Sequence, residues 1–398
     1  LGNINKVDSG TIILNGSNSY SGSTLVNAGT LRIDSANSVP SNHTLTSNGG
    51  TYDVRSSITL ESLSGSGGVR LSSGGTLTLD GSSNITFGGV FSGTGTLEKN
   101  GTNELTLTGT NTHTGFTNLN AGTLTVKGLL GNTYLTVDSG ATYSVEGGDD
   151  TIGTIAGAGN IQIPSGDTLT TNTSNNSTFS GVISGPSGDI GGNLVKSGNG
   201  TLTLSGTNTY AGTTAIRGGR ISISSDSGLG TAPGSATAGH LILNGGALEA
   251  NASFTLNPNR EISLGSSNGT FDINSGATLT YDGIIRGSND LTKSDNGTLL
   301  LSGANTYSGN TVISDGTLQI TGSLADTTNV SVSSGATFDV DATDTVQSLT
   351  GAGNIDLASG ITLTTGDTNN QTISGVVSGS GNLVKVGSGT LTLSGTTN

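Results

Sequence analysis

The sequence of 398 residues contains no cysteine, methionine or tryptophan, and only 4% of its residues are aromatic. Without cysteine the chain can form neither disulfides nor thiolate metal ligands, and its redox compartment cannot be inferred. Apolar residues make up 30% and charged residues 10%, whereas ordinary soluble domains carry roughly 45–50% and about 25%. These proportions argue against one large globular core.

Positive charge is also scarce, because 13 lysines and arginines face 27 aspartates and glutamates, which gives a formal net charge of −14. Nucleic acids need clustered basic residues and anionic membranes attract basic segments, so we expect neither partner. No run approaches the roughly 18 apolar residues of a membrane span, so we predict no membrane insertion by this segment. The chain starts and stops at nearly the same repeat phase without a signal peptide, which suggests an excised piece of a longer protein.

Glycine is abundant, with 68 residues, and it marks a long internal repeat. The block GTLTLSGTNTYAGTTAIRGGRISI at 200–223 returns, with changes, at 10–33, 102–126 and 297–320, and a fifth copy starts at 389. One glycine of the block recurs at spacings of 93, 97, 97 and 92 residues, at Gly16, Gly109, Gly206, Gly303 and Gly395. A lysine precedes each copy at the same spacings, at Lys6, Lys99, Lys196, Lys293 and Lys385. Such regularity argues against a disordered chain.

The local pattern is that of short β-strands. In Thr201–Ser205, Leu202 and Leu204 point to one face and the hydroxyl residues to the other, and similar segments follow throughout the chain. Because no linkers separate the copies, a solenoid is favoured over a series of sandwiches. The sequence therefore predicts an all-β, right-handed parallel β-helix (β-solenoid) of about four 93–97-residue repeats, with about 19 residues per coil.

We expect residues 1–398 to form a single continuous β-solenoid. The repeat units span approximately 6–98, 99–195, 196–292 and 293–384, and a fifth starts at 385–398. Two stretches, 186–190 and 225–239, interrupt the repeat, and we expect both to be loops that leave the solenoid.

The block resembles the autotransporter-associated β-strand repeat of bacterial surface proteins. The third and fourth copies carry its pattern at Lys196, Thr201–Leu204, Asn208, Tyr210 and Gly212, and at Lys293, Thr298–Leu301, Asn305, Tyr307 and Gly309. The first copy keeps Asn18 and Tyr20 but has Ile12 and Ile13, and the second departs at Asn103, Glu104 and His113. The resemblance implies a secreted passenger, a parallel β-helix displayed outside a Gram-negative-type cell. Such proteins normally end in a membrane β-barrel, and whether one follows residue 398 stays open.

Three groups of residues are candidates for a metal-binding or other chemical role. His113 stands where other copies have tyrosine, so we expect a ring that fills the same slot rather than a metal ligand. We expect solvated carboxylates, with weak calcium binding as the alternative, at Asp149, Asp150, Asp339, Asp341 and Asp344. The repeated lysines are expected to mark solvent-facing turns.

The Asn-Thr-Tyr element of the block is interpreted as structural. Asparagine suits a turn, and the tyrosine ring is expected to cover the edge of a coil with its hydroxyl in water. No nucleophile elbow or triad-like arrangement is present. The sequence therefore predicts no enzyme and no catalytic, cofactor-binding or metal site.

The function predicted on these grounds is that of a non-enzymatic, extracellular structural or adhesive segment, a rod-like passenger displayed on a bacterial surface. The alternative is a self-assembling extracellular filament or sheath subunit joined head-to-tail, because uncapped solenoid ends expose strand edges. A glycan-binding module is a third interpretation, although aromatic residues for sugar stacking are few. The expected partners are its own copies, or neighbouring repeats, through the solenoid ends, and host surface or matrix glycans.

Overall fold

A computed structural model describes residues 2–41 and 43–395. Within them, short parallel β-strands follow one another around successive coils, with two 3-10 turns, Ala36–Ser38 and Asp226–Leu229, and no α-helix. The predicted all-β parallel solenoid is therefore confirmed. Its right-handed winding stays a prediction, based on the handedness of parallel crossover connections. In the described ranges, no helix has the length and apolar character needed to cross a membrane.

The chain forms two compact units. Unit 1 comprises Leu1–Val195 and Gly206–Gly212, and unit 2 comprises Lys196–Ser205 and Thr213–Asn398. The single continuous solenoid over residues 1–398, with its five repeat boundaries, stays a prediction.

Unit 1 is built on one long parallel sheet to which almost every coil contributes one strand. In pairing order it contains β1 (Ile4–Lys6), β3 (Thr24–Val26), β5 (His43–Ser47), β7 (Ser57–Ser64), β9 (Thr76–Leu79), β12 (Thr96–Lys99), β14 (Phe116–Leu119), β16 (Tyr134–Val137), β19 (Thr154–Gly157) and β22 (Ser177–Phe179). A second sheet contains β2 (Thr11–Leu14), β4 (Thr30–Ile33), β6 (Thr51–Val54), β8 (Gly68–Leu71) and β11 (Val90–Gly93). A third contains β10 (Ile85–Phe87), β13 (Glu104–Leu107), β15 (Thr123–Val126), β17 (Thr142–Val145), β20 (Asn160–Gln162) and β23 (Val182–Ser184). β18 (Asp150–Ile152) pairs with β21 (Thr168–Asn172), and β24 (Asn193–Ser197) lies at the unit boundary.

Unit 2 repeats this plan. Its long sheet contains β25 (Thr201–Leu204), β27 (Arg220–Ile223), β29 (Ala247–Ala250), β32 (Gly269–Ile273), β35 (Leu291–Ser294), β37 (Thr311–Ile313), β39 (Asn329–Val332), β42 (Ser348–Gly351), β45 (Gln371–Ile373) and β48 (Leu391–Leu393). A second sheet contains β26 (Thr214–Ile216), β28 (Leu241–Leu243), β31 (Ile262–Leu264) and β34 (Ile285–Gly287). A third contains β30 (Phe254–Leu256), β33 (Thr278–Tyr281), β36 (Thr298–Leu301), β38 (Thr317–Ile320), β40 (Thr337–Val340), β43 (Asn354–Leu357) and β46 (Val377–Gly379). A fourth contains β41 (Asp344–Val346), β44 (Thr362–Thr365) and β47 (Asn382–Lys385).

The core of each unit consists of columns of apolar side chains that stack from coil to coil. In unit 2, Leu202, Ile221, Leu248 and Phe271 occupy aligned register positions, and all four are fully buried. Because successive side chains of a strand point to opposite faces, the intervening residues, such as Thr203, lie on the outer face. Parallel in-register pairing therefore lets thin coils share one continuous core, although the chain is only 30% apolar.

One of the two predicted loops does not simply leave the solenoid. The 3-10 turn Asp226–Leu229, within the 225–239 stretch, packs against Arg260, whose side chain is 1% exposed. The Arg260 guanidinium bonds to the Asp226 carboxylate at 2.9 and 3.1 Å and to the Leu229 carbonyl at 3.0 Å. A buried guanidinium needs such partners, so the start of this loop is fixed while residues around Gly234 are exposed.

The repeated glycine of the block is required by the close approach of two coils. A Cβ atom at Gly303 would lie 1.9 Å from the Gly283 carbonyl oxygen, and one at Gly109 would lie 2.1 Å from the Gly89 carbonyl oxygen. A Cβ at the equivalent Gly16 meets nothing within 4 Å. The constraint is therefore contact with the preceding coil rather than backbone conformation.

We predict that Gly303→Ala lowers the free energy of unfolding by about 1–3 kcal/mol, because two backbones must separate to admit the methyl group. Gly16→Ala, at the same point of the motif but facing open space, is the matched control and should leave stability within about 0.5 kcal/mol of the wild type. Urea denaturation of the full chain measures both. Equal effects of the two substitutions would contradict the steric explanation.

Candidate functional site

The repeated lysines are the most regular charged feature of the chain, and the prediction that they mark solvent-facing turns is wrong for four of the five. Each of these four side chains is at most 4% exposed, at Lys6, Lys99, Lys196 and Lys293. Each occupies an inward position at or near the end of a strand, so the alternation places its methylene stem in the core. Lys385, in β47, is less buried.

The buried ammonium groups are held by backbone carbonyl oxygens. Lys293 Nζ donates to the carbonyls of Ser294 at 2.9 Å, Asp295 at 2.6 Å and Asp315 at 3.2 Å. Lys196 Nζ makes the same three contacts, to Ser197, Gly198 and Gly218, at 2.6, 2.8 and 3.4 Å. We call this arrangement the lysine cradle. Two of its carbonyls come from the turn after the lysine and the third from the next coil, so one ammonium ties two coils together.

Burial changes the acidity of these groups. Loss of hydration lowers the pKa of Lys99, Lys196 and Lys293 to about 8. Near Lys293, the carboxylates of Asp295, Asp272 and Asp315 act in the opposite direction but do not compensate for burial. In these three copies the ammonium bonds to the backbone and has a pKa of about 8, below the ordinary lysine value.

The asparagine of the Asn-Thr-Tyr element also joins coils. Asn305 Oδ1 accepts the backbone N–H of Ile285 at 3.0 Å in the preceding coil, and its Nδ2 donates to the Ser323 carbonyl at 3.1 Å in the following one. Asn111 makes the same bonds, from the Phe91 N–H at 2.8 Å and to the Leu129 carbonyl at 2.7 Å. The structural interpretation holds, but this side chain links three coils and does more than favour a turn.

The ring that follows the asparagine lies inside the coil. The predicted exposure of the tyrosine hydroxyl to water is wrong, since Tyr307 is fully buried and its Oη lies 2.6 Å from Thr311 Oγ1. His113 takes the equivalent position in the second copy, as predicted, and its Nε2 lies 2.7 Å from the Gly95 carbonyl oxygen. Burial lowers the pKa of His113. Both rings find their polar partner inside because the neighbouring coil covers them.

Two of the five candidate aspartates are not solvated, contrary to the prediction. Asp150 accepts the Leu130 N–H at 3.2 Å and the buried Tyr143 hydroxyl, and burial raises its pKa. Asp344 accepts the Leu324 N–H at 3.0 Å, and burial raises its pKa to about 6. Each carboxylate satisfies a backbone N–H of the preceding coil, the role that asparagine has elsewhere in the repeat.

The other three candidate aspartates are accessible. Asp149 is exposed, whereas Asp339 and Asp341 are half-buried, and Asp341 accepts a bond from Gln319 Nε2 at 2.6 Å. In residues 2–41 and 43–395, no three histidine, cysteine or acidic side chains gather where they could hold a metal ion. The absence of catalytic, cofactor and metal sites stays a prediction.

Sequence reasoning missed the ionic anchor of Arg260, because the inserted stretch that binds it occurs in one repeat only. It also missed the buried state of the lysines, although their strict phase could have indicated it. The lysine and the asparagine that define the repeat thus form hydrogen bonds between coils.

We predict that the buried lysine makes stability rise between pH 8 and pH 10. The folded chain releases the Lys293 proton near pH 8 and the unfolded chain near 10.5, so the unfolded state binds more protons in this range. The free energy of unfolding of the wild type relative to Lys293→Met should therefore increase with pH, with a limiting slope of about 1.4 kcal/mol per pH unit.

The measurement is urea denaturation of both proteins at pH 7, 8, 9 and 10. The variant keeps the same tyrosines, so their titration cancels in the difference. A difference that stays constant across this range would show that the Lys293 ammonium keeps its ordinary acidity.

The repeat is also recognised when the sequence is compared with known protein families. The passenger-associated-transport-repeat family matches five segments, at residues 4–33, 97–126, 194–223, 291–320 and 383–398. The four complete segments contain the buried lysine and the asparagine of the repeat, and the third and fourth show the full lysine cradle, so the predicted resemblance is confirmed.

A second similarity comes from a whole protein. Over 179 residues the chain is 37% identical to the adhesin BmaC autotransporter of Brucella suis biovar 1 (strain 1330). The aligned stretch is 45% of this chain and 5% of that adhesin, so the chain spans a small part of its relative. No solved structure matches the chain significantly. The chain is thus a β-solenoid with four complete segments and one partial segment similar to the passenger-associated-transport-repeat family, and it is similar in part to an autotransporter adhesin.

Proposed function

We propose that this chain is a secreted, surface-displayed passenger segment whose role is structural and adhesive. The observation that supports the proposal most directly is that the repeated polar side chains are buried and form hydrogen bonds within the solenoid. Lysine and asparagine of the repeat bind neighbouring coils and the tyrosine ring is buried, so the repeat builds a scaffold and leaves the outward positions to a partner. The passenger repeats and the similarity to an adhesin support the same role.

The surface chemistry supports a partner recognised through neutral polar contacts. Outward strand positions carry mostly threonine, serine and asparagine, and the net charge of −14 disfavours nucleic acid and anionic membranes. Host surface or matrix glycans fit such a surface, because hydroxyl and amide groups can exchange hydrogen bonds with sugars.

A non-enzymatic role is part of the proposal. The three histidines, His43, His113 and His240, are each at most 4% exposed, so none faces solvent as an accessible general base. The chain has no cysteine nucleophile. The buried lysines, together with Asp150 and Asp344, bond to backbone groups of the solenoid.

We expect beads coated with the full 398-residue chain to adhere to cultured epithelial monolayers more strongly than albumin-coated beads. Soluble chain should compete for the same sites and reduce the adhesion in a dose-dependent manner. Adhesion equal to that of albumin, in a preparation whose circular dichroism shows folded β-structure, would contradict an adhesive role.

A second candidate is association of copies end to end into a filament. A parallel strand whose edge has no neighbour pairs readily with another strand, so strands of two copies could extend one ladder. Sedimentation velocity from micromolar to near-millimolar chain should show concentration-dependent growth if this candidate holds, and an unchanged monomer if it does not.

A further inference from the structure

One outward position of the repeat carries an exposed aromatic side chain in a single copy, although the other copies form the same strand with a polar residue there. Phe116, on β14, is 53% exposed, and it is the one aromatic residue in the described ranges among the large exposed apolar side chains. The equivalent residues in the other copies are Ser23, Thr213 and Asn310, all polar. An aromatic ring at this outward position therefore replaces a hydrophilic side chain in one copy only.

The neighbouring strand carries a second ring at the paired position. Tyr134, on β16, lies directly opposite Phe116, and the two ring centroids are 5.4 Å apart with an interplanar angle of 50°. In the fourth copy the equivalent residues, Asn310 and Asn329, hydrogen-bond to each other at 2.9 Å. Strand pairing is thus achieved with polar residues elsewhere, and the aromatic pair is not needed to form the sheet.

A polar cleft of about 260 Å³ adjoins this pair, with Tyr134 in its wall. Its other lining groups include Thr114, Asn132, Asn172 and Asn175, which are exposed and whose side chains hydrogen-bond to no described residue. No acidic or basic side chain lines the cleft. On the strand before Phe116, the Glu98 carboxylate accepts the Thr78 hydroxyl at 3.1 Å.

The combination of an exposed aromatic face and unused amide and hydroxyl groups selects one kind of ligand. An apolar partner would not use the polar cleft, and an ionic partner would find no counter-charge there. A sugar has C–H faces that pack on aromatic rings and hydroxyls that pair with amides. Exposed aromatic patches beside polar groups commonly mark binding sites.

We propose that Phe116, Tyr134 and the adjoining cleft bind a neutral oligosaccharide. This inference rests on the proposed adhesive function and names the chemical class of its ligand. The site lies entirely within unit 1, and the Phe116 and Tyr134 rings take no part in the lysine and asparagine contacts between coils, so their replacement should leave those contacts in place.

The test uses the full chain on an array of neutral and acidic glycans, followed by calorimetric titration of the neutral oligosaccharide that binds best. The wild type should bind neutral glycans. The double variant Phe116→Asn/Tyr134→Asn, which copies the polar pair of the fourth repeat, should bind at least about tenfold more weakly. Ile190→Asn, which removes another exposed apolar side chain of unit 1, is the matched control and should bind as the wild type does.

Thermal unfolding of the three proteins should coincide, which shows that lost binding is not lost folding. Absence of neutral glycan binding by the wild type, or equal binding by the double variant, would overturn the inference. So would a wild type that dimerises in sedimentation while the double variant stays monomeric, because the aromatic pair would then contact a second copy. If bead adhesion persists without glycan binding, the sugar site fails while the adhesive function stands.

Discussion

The hydrogen bonds that pass between coils at the turns are the interactions on which this structure depends. The strand ladders pair the straight segments, but each turn leaves backbone N–H and carbonyl groups that must find partners when the next coil covers them. Lys293 collects carbonyls from two turns, and Asn305 pairs an N–H of one coil with a carbonyl of another. These side chains give backbone groups at the turns a partner in a chain that has few apolar residues.

Much of the fold could be predicted because it depends on two regular patterns in the sequence. The alternation in segments such as Thr201–Leu204 gives strands, and the return of one block at 92–97 residues without linkers gives stacked coils. The alternation and the block spacing are both visible in the sequence alone. The close contact at Gly303 is not, because the carbonyl oxygen that its Cβ would meet belongs to the preceding coil.

The states of the polar side chains could not be predicted in the same way. Lysine and aspartate are usually exposed, and only the coil stacked above or below shows that Lys196 and Asp344 are covered and bonded to the backbone. The aromatic pair could not be predicted either, because Phe116 contacts Tyr134, which lies one coil away. The buried contacts between coils are therefore made by residues that the copies share.

The most direct test of this account is amide hydrogen exchange, measured residue by residue by NMR under native conditions. The N–H groups of Phe91, Ile183 and Ile285 each donate to an asparagine side chain from the following coil, at 2.8, 2.8 and 3.0 Å. The account predicts that they exchange as slowly as ladder amides of the adjoining strands, through unfolding of the coil stack. Exchange as fast as that of amides in exposed turns would contradict the claim that these asparagines hold the coils together.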